Sequence, residues 1–131
     1  MNNGLVSKQS KFAVAETMDR LEAAIKDYGA NVWARIDLKA AAPKGETLRP
    51  HQIVIFGTGG ALQPLLSAAS TSGIDLPQKI LVFEDQEGKT QVVYNTGEYI
   101  AQRHGIKGLS DVVTAITKGV GSITGQGISV K

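Results

Sequence analysis

The sequence predicts an α+β domain built on a largely antiparallel sheet with helices packed on it, and three observations carry that prediction. Val14, Met18, Leu21, Ile25 and Tyr28 recur at helical spacing. Two strand-like runs, 79–84 and 90–95, are joined by the polar turn Asp85-Gln86-Glu87-Gly88-Lys89 with no helix between them. A parallel sheet needs a crossover helix between every pair of strands, so this hairpin excludes an all-parallel arrangement. A length of 131 residues with 42% hydrophobic content suits one domain, 1–131, with one core.

Leu5 to Lys8 is a short apolar–polar start, suited to a strand. The helix from Val14 keeps Glu16, Asp19, Arg20, Glu22, Lys26 and Asp27 off its apolar stripe, and Gly29 stands where a C-terminal cap belongs. Residues 31–38 alternate, with Val32, Ala34, Ile36 and Leu38 on one face and Trp33, Arg35 and Asp37 on the other. Pro43, Gly45 and Pro50 mark 39–50 as a loop. The run 52–56 is apolar without alternation, as in a strand buried on both faces. Gly57 to Gly60 breaks that strand, and Pro64 suits the first turn of a helix through Ala69. After the 79–95 hairpin come a short helix, 98–103, and a last helix over about 110–118. The expected order is β-α-β-β-(α)-β-β-α. Its core is expected to include Leu21, Ile25, Ile53, Ile55, Leu81, Val93, Val113 and Ile116. Residues 119–131, with Gly119, Gly121, Gly125 and Gly127, read as a frayed, flexible tail.

Composition excludes several functions. The chain has no cysteine, which removes disulfides, thiolate metal sites and cysteine nucleophiles. The longest apolar runs, such as Ile53 to Phe56, are far short of the roughly 20 residues of a membrane span. A net charge of +2, few aromatics and no basic cluster give no case for nucleic acid. Residues 1–6 carry no secretory pattern, so the cytoplasm is the expected compartment, or the periplasm if a signal peptide has been removed.

The glycine cluster after a buried strand invites comparison with a dinucleotide fingerprint. Leu62 occupies the third glycine's position, however. The acidic residue that closes the next strand, Glu84, lies 27 positions after Gly57, where about 20 is usual. The loop amides retain the capacity to hold a small anion. His51 and His104 are not in metal-ligand spacing, and Ser7, Ser67 and Ser110 are not in a nucleophile elbow. Asp37, Tyr94 and Asn95 each close a strand. They read either as caps and anchors or as the rim of a pocket.

Several segments together resemble the domain-of-unknown-function 302 family over about residues 4–118. They are Gly4-Leu5, Glu16-Thr17, Arg20-Leu21-Glu22, Ile36-Asp37, Leu48-Arg49-Pro50, Phe56-Gly57, Asp75-Leu76-Pro77 and Tyr94-Asn95. The resemblance implies a compact α+β domain related in shape to TATA-binding-protein-like folds, commonly a homodimer, and no established activity. Members tend to carry His-Ala after the Ile-Asp pair and Asn-Pro after the Phe-Gly pair. Here Leu38-Lys39 and Thr58-Gly59 stand instead, so a role held by that histidine is lost or altered.

The expected function is therefore a small homodimeric binding module without catalysis of its own. It would hold a small molecule or small anion near Asp37, Phe56, Gly57, Tyr94 and Asn95, with no cofactor identified. One alternative is a small isomerase- or hydrolase-type enzyme using Asp37 with Tyr94 or His51. Another is a haem or metal carrier acting through His51 or His104.

Overall fold

A computed structural model of the chain describes residues 3–44, 47–57 and 59–129. The element order is β1 Leu5–Ser10, α1 Val14–Tyr28, β2 Asn31–Asp37, β3 His51–Gly57, α2 Gly59–Ala68, a short 3-10 helix Ser70–Ile74, β4 Gln78–Glu84, β5 Thr90–Asn95, α3 Gly97–Arg103 and α4 Ser110–Gly127. The strands form one sheet in the order β1-β5-β4-β3-β2, every pairing antiparallel. The α+β expectation holds. β1 and β2 lie at opposite edges because α1 carries the chain across the sheet.

Helix α1 ends as its sequence requires. Gly29 adopts φ 93°, which is open to glycine without strain, and the Gly29 and Ala30 N–H groups donate to Lys26 and Ile25 carbonyls. The cap of α3 falls one residue after the expected Asn95: Thr96 Oγ1 accepts from Tyr99 N at 3.2 Å.

All helices that touch the sheet lie on one face of it. Val14, Met18, Leu21 and Ile25 of α1 and Val120 and Ile123 of α4 pack on Val54, Phe56, Ile80, Val82, Val92 and Tyr94. A second cluster joins Leu62, Leu65, Leu76, Ile100, Val113 and Ile116 beyond the sheet's end. The two halves of α4 thus serve different cores.

Three expectations need correction. First, Leu21, Ile25, Val113 and Ile116 are buried, but Ile53, Ile55, Leu81 and Val93 are only half-buried. They alternate with the true core positions and point to the helix-free face. Because β3 and β4 are apolar on both faces, composition alone could not say which side the helices cover.

Second, β2 does not keep its expected alternation. Val32 pairs with Phe56 and Ala34 with Ile55, so Trp33 is an extra residue and the facing shifts beyond it. Arg35 consequently turns toward α1, where Nη1 donates to Asp19 Oδ1 at 2.6 Å and Glu22 Oε2 at 2.7 Å. Burial pulls the guanidinium's pKa down, but the hydrogen bonds and charges of Asp19 and Glu22 outweigh it and hold the pKa above its ordinary value.

Third, the glycine-rich tail is helix. α4 runs to Gly127, with Val120, Ile123 and Thr124 buried. Arg20 Nε donates to the Gly127 carbonyl at 2.7 Å, and Arg20 Nη2 donates to that of Ser129. Lys8 Nζ donates to Thr124 Oγ1 at 2.7 Å and to the Gly121 carbonyl. The glycines weaken helix propensity but allow close packing: a Cβ on Gly127 would lie 2.5 Å from Leu21 Cδ2. Tertiary contact outweighs local preference. Similarly α2 begins at Gly59, so Pro64 lies inside it and not in its first turn.

Candidate functional site

A cavity of about 360 Å³ opens where β3 ends and β4 begins, beneath α4 and beside the C-terminus of α1. Phe56 and Gly57 form its sheet side, Leu62 and Pro64 its α2 side, and Ile116, Val120 and Ile123 its α4 side. Its volume lies within the range of small-molecule sites, roughly 300–1,000 Å³. Among the described residues the side-chain lining is apolar apart from Gln78 and Tyr28 and includes no Lys, Arg, His, Asp or Glu.

Local structure makes this space. Gly57 carries no side chain at the strand end, where a Cβ would meet Leu62 Cδ1 at 3.4 Å. Gly119 lets the Tyr28 hydroxyl lie across α4, at 2.7 Å from where a Cβ would stand. Gln78 opens β4 opposite Phe56 on the helix-facing side, in line with Ile80 and Val82. It is 6% exposed, and its Nε2 is the one buried side-chain nitrogen or oxygen without a hydrogen-bond partner among the described residues. Leaving such a donor unpaired costs about 1–3 kcal/mol.

The expected site residues are not all gathered here. Phe56 and Gly57 line the cavity. Asp37 pairs with Gln52 at the far end of β3, roughly 17 Å away at about 3.4 Å per residue. Its Oδ1 accepts from Ala40 N at 3.0 Å in an exposed turn. Tyr94 is 6% exposed beneath α4, with Lys8 Nζ 5.5 Å from its ring centre. Asn95 pairs with Leu5 at the β1 edge. Asp37 therefore does not meet Tyr94, whereas His51, the other partner named for the enzyme alternative, adjoins Gln52 at Asp37's end of β3.

The histidines stand apart. His51 stacks on Phe83 at 5.3 Å on the helix-free face. His104 ends α3, with Nε2 2.5 Å from Asp75 Oδ2 and Nδ1 2.9 Å from Thr71 Oγ1. Arg103 holds the same carboxylate at 3.0 Å. This hydroxyl–imidazole–carboxylate chain has the connectivity of a hydrolytic relay. None of its members lines the cavity, and Thr71 is exposed. It ties the 3-10 helix to the end of α3. Among the described residues no group of three or more His, Cys, Asp or Glu could hold a metal ion.

Thr58, one of the residues departing from the family pattern, lies outside the described residues. Leu38 continues the β2–β3 ladder, its N–H donating to the His51 carbonyl at 2.8 Å. A wider surface groove beside the 39–50 loop is lined by Lys39, Lys44, Arg49 and Glu84 among others, and Arg49 is already paired with Glu84 at 2.9 Å.

Sequence reasoning missed Gln78 because the strand was expected to start one residue later. The signal was present: Gln78, Ile80 and Val82 form a period-two inward series that opens with an amide. Thr71, Asp75 and His104 left no such signal, since only the docking of α3 brings them together.

Comparison with known proteins agrees with the fold. The chain is 37% identical over 126 residues to the "Fluoride-specific ion channel FluC 1" of Brucella suis biovar 1, covering 95% of this chain and 50% of that protein. The protein of the same name from Brucella abortus biovar 1 is also 37% identical, with 47% of its length covered. The chain thus spans about half the length of the curated relatives it matches. No described helix is long and apolar enough to cross a membrane. The fold superposes with TM-score 0.83 and 17% identity on an uncharacterized conserved protein from Bacillus stearothermophilus, covering 94% of this chain and 97% of that one. That structure is described as a DUF302 protein. The model of the Domain of unknown function DUF302 matches residues 6–123, and the chain belongs to that family.

Proposed function

We propose that this domain is a small-molecule binding module whose site is the apolar cavity between the β3–β4 strand ends, α2 and α4. One observation carries the reading: a cavity of about 360 Å³ remains open inside an otherwise packed domain. Apolar side chains that line a concave opening gain burial and dispersion contact when an apolar ligand covers them. The channel activity named for the Brucella proteins belongs to chains about twice as long and does not enter this reading.

Ala115 lies exposed at the mouth of the cavity, so Ala115→Trp should obstruct entry without disturbing the core. Native mass spectrometry of protein purified from its own host should find a retained apolar molecule in the wild type and none in the variant, with equal melting temperatures. Equal retention in both, or failure of the wild type to take up any apolar probe, would refute the reading.

A second observation favours self-association. The helix-free sheet face carries Ile36, Ile53, Ile55, Leu81, Phe83 and Val93, with Trp33 49% and Leu5 52% exposed. A contiguous apolar face of this kind is characteristic of an interface, and a symmetric pair would cover both copies at once. Light scattering should give twice 13.8 kDa at tens of micromolar, and Trp33→Glu should return the monomer. A single 13.8 kDa species in the wild type would exclude the dimer.

A further inference from the structure

We infer that the 3-10 helix carries a chemical site apart from the cavity, in which Thr71 accepts an acyl group from an activated ester with His104 as general base. The hydrogen-bond directions carry the inference. A carboxylate only accepts, so the 2.5 Å contact between His104 Nε2 and Asp75 Oδ2 places a proton on Nε2. A neutral imidazole holds one ring proton, so Nδ1 keeps its lone pair, and the Thr71 hydroxyl donates to it across 2.9 Å. The hydroxyl proton therefore points at a base, within the reach that nucleophile activation requires. Exposure is divided as such a site needs. The side chains of His104 and Asp75 are 7% and 13% exposed, so the base and its anchor are shielded, whereas Thr71 faces solvent. Arg103 Nη1 donates to Asp75 Oδ1 at 3.0 Å and fixes the carboxylate from its other oxygen.

The step is an acyl transfer with no change of oxidation state. Thr71 Oγ1 forms a bond to the ester carbonyl carbon, and its proton passes to His104 Nδ1. The bond from that carbon to the leaving oxygen then breaks, and the alcohol departs with that proton. Water attacks the acyl-Thr71 carbonyl, giving one proton to Nδ1. The carboxylic acid leaves, and the proton returns to Thr71 Oγ1. Ester and water thus become acid and alcohol. The cation bonded to this relay, Arg103, is engaged by Asp75, so it is not a free donor to a developing oxyanion. An ester with a good leaving group needs that stabilisation least, which makes aryl and similarly activated esters the substrate class and leaves out amides. Side chains three apart on a 3-10 helix eclipse, so Ile74, 73% exposed, shares the face of Thr71 and offers apolar surface to the acyl group.

The probe is p-nitrophenyl butyrate, given to the full chain as wild type, Thr71→Val and Thr71→Ser. Wild type should release nitrophenolate at least about tenfold faster than Thr71→Val, a modest share of what general-base assistance supplies. Thr71→Ser should restore the rate, and tandem mass spectrometry of the wild type should place a butyryl group on Thr71. Because Thr71 is exposed, Thr71→Val should keep the wild-type circular dichroism. Mapping the adduct on the wild type reads the site even if that variant misfolds. At about pH 8, where an ordinary imidazole is neutral, NMR of the ring nitrogens should find the His104 proton on Nε2. A smaller difference between wild type and a folded Thr71→Val, a butyryl group confined to amines, or a proton on Nδ1 would overturn the inference. The cavity reading stands or falls separately, since none of these side chains lines it.

Discussion

Ile80→Ala and Ile55→Ala are chemically identical substitutions on adjacent strands, and the structure separates them sharply. Ile80 is 0% exposed on the helix-facing side, whereas Ile55 is half-buried on the uncovered side. Each change removes three methylene equivalents, worth about 2.4 kcal/mol at roughly 0.8 kcal/mol each when burial is complete. At Ile80 the helices hold the surroundings in place, so a cavity remains and the total should reach about 3–4 kcal/mol. At Ile55 part of the side chain is already wet and water can fill the space left, so the expected loss in the monomer is about 1 kcal/mol. Urea unfolding at about 1 µM and about 100 µM protein reads both values and their dependence on concentration. If the sheet face joins two copies, the Ile55→Ala loss grows with concentration while the Ile80→Ala loss does not. Equal losses of about 3 kcal/mol at both concentrations would show that both faces of the sheet are covered within one chain, and the assignment of faces would be refuted.

Glycine positions give a second contrast. A Cβ on Gly97 would lie 2.7 Å from the Val113 carbonyl, which is backbone, whereas one on Gly119 would meet only the tip of the exposed Tyr28 ring. Gly97→Ala should cost about 2 kcal/mol and Gly119→Ala close to nothing, measured by thermal melts; the reverse order would refute the packing of α3 on α4. His104→Ala removes the link between Thr71 and Asp75 and should destabilise by about 1–3 kcal/mol, so an unchanged melt would show that the 3-10 helix and α3 do not depend on it. Asp85 accepts from the Lys89 N–H, from Gln91 Nε2 and from the Glu87 N–H, and these bonds hold its carboxyl below the ordinary range. Its folded pKa therefore lies below its unfolded one, so its stabilisation is full above about pH 4 and is lost as pH falls through the folded value. Acid melts of wild type and Asp85→Asn should converge as the pH drops below that point, and parallel profiles would refute the role given to this turn.

Local chemistry alone determined much of this protein. The spacing of Val14, Met18, Leu21, Ile25 and Tyr28 and the cap at Gly29 were legible because helix periodicity and left-handed glycine are properties of a few consecutive residues. The polar turn at Asp85 to Lys89 was legible for the same reason, and with it the antiparallel sheet. Phe56 and Gly57 were singled out at a strand end, and that end opens on the cavity.

Only the tertiary structure decided which face of the sheet is core. Ile53 and Val54 have similar sequence surroundings, and their burial differs because α1 and α4 lie on one side of β3 and no described helix covers the other. The extra residue at Trp33 shifted the facing of Arg35, an outcome of pairing with β3 that β2 does not encode by itself. The tail from Gly119 became helix because Leu21, Arg20 and Lys8, about a hundred positions earlier, supply the contacts that its glycines lack. The orphaned amide of Gln78 belongs to the same class. A donor lacks a partner only when every neighbour has been placed, and placing neighbours is the work of the whole chain.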